Sequence, residues 1–259
     1  MKNFINEDKI FDILEKMQSP SRQRVETIIN KSLTLRGLSP EEAAVLLNCD
    51  EKVSLNRIFE TAKQIKETIY GNRLVLFAPL YLSDRCINSC LYCGFSKENK
   101  NSGTRHLDIN EIRDETRALI SQGHKRLLIV SAEDPAVNID YLEEAIKSVY
   151  ETKEGNGSIR RVNINVAPMG VKDFKKLKQT GIGTYQLFQE TYHRNTYSQL
   201  HTSGPKSDYL KRLYACDLAQ SAGIDDVGIG ALFGLYDYKF EVLSLLFHTM
   251  HLEEVFGVG

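Results

Sequence analysis

Apolar residues recur three and four positions apart through the first seventy residues, the spacing that lines one face of a helix. Ile10, Ile13, Leu14 and Met17 form one such stripe behind a candidate cap at Asn6, and Val25, Ile28, Ile29 and Leu33 form a second. Ser39, Pro40 and Glu42 make a capping box with proline at the first helical position, which predicts a short helix over "PEEAAVLLN". A longer amphipathic run over 53–71 ends on Gly71. After that glycine the pattern changes, and short β-branched or aromatic runs alternate with charged helical stretches. The runs predict strands over 73–83, 125–133, 160–168, 184–190 and 225–234, followed in turn by helices over 110–123, 139–153, 170–181, 207–223 and 238–257.

Five strand–helix units in succession require parallel strands joined by right-handed crossovers, so the expected class is α/β, either an open sheet or a (βα) barrel. The expected division is a helical extension over 1–72 and the α/β domain over 73–259. A closed eight-stranded barrel needs three more units, and the terminal "FGVG" reads as a loop leading to a further strand. The expectation is therefore an incomplete barrel cut from a longer protein. In such folds ligands gather at the carboxyl ends of the strands. Residues of unusual chemistry do fall there: three cysteines after the first strand, Glu133 after the second, Pro168 after the third, Gln189 and Glu190 after the fourth.

Charge narrows the choice of partners. Lysine and arginine total 33 against 34 aspartates and glutamates, which leaves no basic footprint for nucleic acid and no polybasic membrane anchor. The first seventeen residues carry acids where a signal peptide would be apolar, and no apolar run reaches eighteen residues. Cytoplasmic location is the expectation, and in that reducing compartment the five cysteines stay free thiols. Cys49 and Cys216 stand alone and read as small buried residues.

Cys86, Cys90 and Cys93 have the spacing C-x3-C-x2-C, and thiolates clustered on one loop bind soft metals. A structural zinc needs four ligands, with the fourth coming from His106 or a distant residue, because there is no second CxxC pair. A [4Fe–4S] cluster usually takes four thiolates as well. Three leave one iron without a protein ligand, which suits a metal that must coordinate a substrate or cofactor. With an aromatic residue, Tyr92, just before the last cysteine and a strand just before the first, the segment resembles the radical S-adenosylmethionine (SAM) superfamily. That resemblance implies a (βα) barrel of TIM type, a [4Fe–4S] cluster held by Cys86, Cys90 and Cys93, and SAM chelated to the open iron. It also implies reductive cleavage of SAM to a 5′-deoxyadenosyl radical.

The stretches "LFAPLYLSDRCINSCLYCGF", "GHKRLLIV", "LKQTGIGTYQLFQETYH", "GPKSDY" and "AGIDDVGIGALFGLYDYKFEVL" are similar to the tyrosine-lyase group that contains the [FeFe]-hydrogenase maturases and the thiamine-pathway lyases. The resemblance implies Cα–Cβ cleavage of L-tyrosine to p-cresol and dehydroglycine, with ferredoxin or flavodoxin as electron donor; other substrates within the superfamily stay open. It places Tyr92 against the adenine, Glu133 on the SAM amino group, and Glu190, seconded by Gln189, on the ribose hydroxyls. Arg212 falls where related enzymes grip the SAM carboxylate. Gly228 and Gly230 either let the backbone approach adenine or ease strand packing. The chain departs from the group at Ser131-Ala132, where a glycine or small residue is usual, and at Leu218, where an arginine is common. His193 and His201 flank Tyr192 and Tyr197 in a loop read as packing or as a cover for substrate, and His248 and His251 read as a solvated helix face. No catalytic residue is expected beyond the cofactor site.

Overall fold

The structure, a computed structural model, describes residues 2–99 and 104–257. The "FGVG" end therefore falls partly outside the described residues. The chain divides into two compact units, one of Leu76–Leu232 with Lys2, the other of Asn3–Val75 with Phe233–Gly257.

The second unit begins with four helices: α1 (Glu7–Lys16), α2 (Arg22–Ser32), α3 (Pro40–Leu47) and α4 (Lys52–Tyr70). The expected caps are present. Asn6 accepts from Lys9 N–H, and Ser39 and Glu42 close a reciprocal capping box. Val25, Ile28, Ile29 and Val45 bury the apolar stripes against one another, with half-buried Cys49 packed on them.

The first unit carries the α/β pattern. Strand β1 (Ala78–Ser83) is followed by β2 (Ser89–Cys90) in the cysteine segment, α5 (Ile109–Ser121), β3 (Arg126–Ser131) and α6 (Ile139–Glu151). A small hairpin of β4 (Lys153–Glu154) and β5 (Gly157–Ser158) precedes β6 (Arg161–Asn165) and α7 (Val171–Gln179). Then come β7 (Tyr185–Gln186), α8 (Arg194–Leu200), β8 (His201–Ser203), α9 (Tyr209–Leu213), α10 (Ala215–Ser221) and β9 (Val227–Gly228). The main sheet runs β1-β3-β6-β7-β9 with every pairing parallel, the topology of a partial barrel. Leu127, Ile129, Val162 and Ile164 are buried alternately along its central strands, as period-two strands require.

Several expectations are corrected. Strand β1 starts only at Ala78, because its partner β3 begins at Arg126 and the stretch before it has no ladder to join; Leu74 to Phe77 are exposed. The fourth and fifth strands are two residues each, although looser pairing continues through Leu187 N–H to Gly228 O (2.9 Å) and Gln189 N–H to Gly230 O (2.9 Å). The helix expected over 207–223 is broken at Tyr214, whose ψ of 7° leaves the helical range. The last helix, α11 (Tyr238–Phe256), groups with α1–α4 and not with the sheet, so the two compact units do not coincide with a cut at 72/73. It packs on α1 and α3, with the Phe11 and Phe240 rings 5.1 Å apart and Lys239 Nζ donating to Asn48 Oδ1 at 2.9 Å. Its His248 is buried and not solvated, since Phe240, Ser244, His248 and Leu252 share one buried stripe; His251 stacks on Phe4 at 3.7 Å. Among the described residues no helix is long and apolar enough to cross a membrane.

Candidate active site

The cysteine segment leaves the carboxyl end of β1 and is fastened on two sides. Its β2 pairs antiparallel with β8, placing Cys90 opposite His201 and Ser89 opposite Ser203. On the other side Ile87 N–H donates to Glu133 O (3.1 Å), and Asn88 Nδ2 donates to Glu133 Oε2 (2.7 Å). Asn88 Oδ1 accepts from Lys206 N–H at 2.8 Å, so this one amide ties the cysteine loop to the end of β3 and to the turn after β8. Gly204, at φ 90°, lies so close beneath Asn88 that an added Cβ would stand 2.8 Å from the Ile87 carbonyl oxygen.

Cys86, Cys90 and Cys93 line one cavity of about 130 Å³ with Asn88, Glu133, Glu190, Lys206 and Arg212. Cys86 and Cys93 are half-buried and Cys90 is buried. N–H groups approach two of the sulfurs, from Asn88 N and Nδ2 to Cys86 Sγ (3.5 Å each) and from Phe95 N to Cys93 Sγ (3.4 Å). Burial pushes the Cys90 thiol up, and the Lys206 ammonium opposes that shift. A neighbouring hollow of about 210 Å³ shares Ser131, Ala132, Glu133, Val166 and Ala167 with the cavity.

Glu190 is reached by two cations on one oxygen: Lys206 Nζ at 2.6 Å and Arg212 Nη2 at 3.3 Å from Oε1. Arg212 Nε donates to the Phe188 carbonyl at 2.7 Å, which fixes the guanidinium plane. Glu133 is no helix cap; Asn138 caps α6, leaving the Glu133 carboxylate at the cavity on its Asn88 bond.

The remaining expected residues are not part of the cavity's lining. The Tyr92 hydroxyl stands 2.8 Å from His201 Nε2, and His201 Nδ1 stands 2.8 Å from the Tyr197 carbonyl. A carbonyl can only accept, so Nδ1 carries the proton and Nε2 accepts from Tyr92. Burial agrees, holding His201 neutral by moving its pKa down to about 4. His201 is thus loop packing, and His193 caps α8. Gln189 is turned away, its Nε2 donating to the Tyr209 carbonyl at 3.4 Å. At Gly228 and Gly230 an added Cβ would meet Gln186 Cγ at 2.9 Å and Phe188 Cδ1 at 2.6 Å, so close strand packing leaves no room for a side chain at either position. His106 Nδ1 bonds Asp134 Oδ2 at 3.0 Å, outside the cavity. Burial alone would raise Asp134, but bonds from Ser83, Ala136 N–H and His106 outweigh it and lower its pKa. The lone Cys216 is buried as expected, its thiol pushed up to about 12 by desolvation.

Asn88 and Lys206 were missed in the sequence. The first sits inside the C-x3-C spacing and the second in the "GPKSDY" stretch, but only tertiary contacts give them meaning. Among the described residues no three His, Cys, Asp or Glu side chains converge on a single-ion position. A multi-iron cluster binds each thiolate to a different iron and requires no such convergence. Three soft donors lining one cavity with two carboxylates, Glu133 and Glu190, and two cations, Lys206 and Arg212, fit that cluster together with a zwitterionic amino-acid cofactor.

The comparisons agree with this chemistry. The model of the radical SAM superfamily matches residues 80–246. The 2-iminoacetate synthase of Escherichia coli (strain K12) is 31% identical over 228 residues, 87% of this chain and 59% of that protein. A crystal structure of HydG, a maturase of the [FeFe]-hydrogenase, matches with TM-score 0.97 and 52% identity over 100% of this chain and 57% of that one. The X-ray structure of the maturase HydG from Carboxydothermus hydrogenoformans matches with TM-score 0.90 and 42% identity, covering 98% of this chain and 58% of that one. The chain thus spans less than two thirds of the relatives it matches. With its cysteine loop at the mouth of a parallel half-barrel and the family model covering most of its length, the chain belongs to the radical SAM superfamily, whose members use a [4Fe–4S] cluster and S-adenosylmethionine.

Proposed function

We propose that the protein is a radical SAM carbon–carbon lyase that cleaves L-tyrosine between Cα and Cβ, giving p-cresol and dehydroglycine. The observation that carries the site is the meeting of Cys86, Cys90 and Cys93 with Glu133, Glu190 and Arg212 at one cavity on the carboxyl side of parallel strands. The substrate rests on likeness to HydG and to 2-iminoacetate synthase.

Each residue has a separable task. The three cysteines hold the cluster, and the N–H groups of Asn88 and Phe95 point at the sulfurs of Cys86 and Cys93. Glu133, oriented by Asn88, receives the SAM amino group; Arg212 receives its carboxylate in a forked contact. Glu190 accepts from the ribose hydroxyls, and Tyr92, held by His201, borders the adenine side. When bound, the cluster and SAM together supply one-electron chemistry, reductive cleavage of the sulfonium and hydrogen-atom abstraction from substrate. A ferredoxin or flavodoxin as donor, and a cytoplasmic setting, complete the reading.

Anaerobic reconstitution of the full-length protein with iron and sulfide, then dithionite, SAM and tyrosine, is expected to yield 5′-deoxyadenosine and p-cresol. Deoxyadenosine without p-cresol would reject tyrosine and retain SAM cleavage; neither product would reject both. The second reading, a 2-iminoacetate synthase serving thiamine synthesis, is favoured by the 31% identity to the Escherichia coli enzyme. It is separated by whether dehydroglycine, which is 2-iminoacetate, accumulates in the same mixture as the final product or is consumed further.

A further inference from the structure

Of the two cations that line the cavity, Arg212 has a task in the reading above and Lys206 has none. The backbone of Lys206 is held at both ends, its N–H on Asn88 Oδ1 at 2.8 Å and its carbonyl under the Tyr197 hydroxyl. Its ammonium therefore has a fixed root. The side chain is 15% exposed, donates to Glu190 Oε1 at 2.6 Å, and stands 5.7 Å from the Tyr92 ring centroid. The Arg212 contact to the same oxygen is the longer one, 3.3 Å, and its guanidinium is already tied to Phe188.

Glu190 itself is unusual. It is a non-glycine residue with φ 72°, held there by Leu232 N–H on its carbonyl at 2.7 Å and by a parallel bridge to Ala231. Backbone in that region persists only where its surroundings over-determine it, and it aims the side chain where ordinary strand geometry would not. Both cations then converge on Oε1, and among the described residues no bond is made to Oε2. A carboxylate presented with one oxygen clamped and the other open is suited to accept from a vicinal diol.

We propose that Lys206 is a positioning residue for the cofactor's ribose: by clamping Oε1 of Glu190 it presents Oε2 to the diol of a nucleoside ligand. This rests on the reading of the cavity as a SAM site. Asn88 extends the arrangement, because the side chain that orders Glu133 also roots Lys206, so both carboxylates are set before any ligand arrives.

The test is SAM binding by equilibrium dialysis to the anaerobically reconstituted full-length protein, normalised to iron-loaded chains, for the wild type, Lys206→Met, Lys206→Arg, Glu190→Gln and the Lys206→Met/Glu190→Gln pair. Lys206→Met is expected to weaken SAM about tenfold and Lys206→Arg to restore it to within about threefold. In the Glu190→Gln background Lys206→Met should add less than about twofold, because its effect passes through that carboxylate. Binding of methionine, which has no ribose, should not change. Wild-type affinity in Lys206→Met, an undiminished loss in the Glu190→Gln background, or an equal loss for methionine would overturn the proposal. If Lys206→Met does not load iron, Lys206→Gln replaces it under the same criteria, with an expected loss of about threefold. Failure of the wild type itself to bind SAM would instead remove the cofactor reading.

Discussion

A methyl group added at Gly204 would press on the backbone of the cysteine loop, 2.8 Å from both Asn88 Cα and the Ile87 carbonyl oxygen, at a φ of 90° that side chains rarely adopt. Gly204→Ala is therefore expected to destabilise the protein by about 2–4 kcal/mol, combining backbone strain with overpacking. Gly37→Ala, with open space and ordinary φ, should lose nothing; comparing the two by chemical unfolding checks the argument. At this scale the sequence was uneven as a guide. Three thiols within eight positions announce themselves because cysteine is rare and its metal chemistry narrow. Glu190 and Arg212 were reachable only through resemblance, since an acid after a strand and an arginine on a helix are commonplace. Asn88 and Lys206 were not reachable, because their significance lies in bonds to residues 45 and 16 positions away, Glu133 and Glu190.

Helix α11 shows how an element can be foreseen and its setting missed. Its helical character and its cap at Asp237 follow from local pattern, but its apolar residues run nearly all round, which obscures the buried face. Phe240, Ser244, His248 and Leu252 at four-residue spacing mark that face, and His248 lies within it. Burial, with His251 adding to it, moves the His248 pKa down to about 3. Unfolding releases the ring to its ordinary value of about 6.5. The unfolded chain thus binds the proton first, so stability is level above about pH 6.5 and falls as pH drops toward 3. Between pH 6.5 and 5 this single group should cost about 2 kcal/mol. His248→Leu is expected to show a smaller loss over that interval in unfolding titrations at the two pH values. An identical pH slope in both proteins would count against the burial argument.

For the whole molecule, the number and direction of the main sheet's strands were legible, because five helix-separated runs admit little except parallel pairing, whereas their sequential order separates a barrel from an open sheet and came only from the structure. The partition into units was not. Helix α11 follows β9 as any crossover helix would, and periodicity says that a segment is helical without saying what it covers. The sheet's outer strand β1 leaves Tyr81 49% exposed, beside a hollow of about 400 Å³ lined in part by Pro79, Phe95 and Leu119. Leu82–Asp84 of that edge pair with Arg105–Leu107, but Ala78–Tyr81 have no ladder partner on that side among the described residues, and an apolar strand edge left unpaired invites pairing with another chain. The 259-residue chain by itself is expected to self-associate with rising concentration in sedimentation velocity, and Tyr81→Lys to reduce that association. A wild-type chain that stays monomeric at high concentration would refute this.

The ribbon between β2 and β8 joins segments more than a hundred residues apart, and that separation sets an order of events during synthesis. A nascent chain released only as far as residue 200 has all three thiols outside the ribosome but no His201, no Ser203 and no Lys206 to hold their loop. Iron delivery on that timetable has to wait until residues 201–206 have emerged, and a metal donor that acts earlier meets a floppy tripod of sulfurs in place of a formed seat.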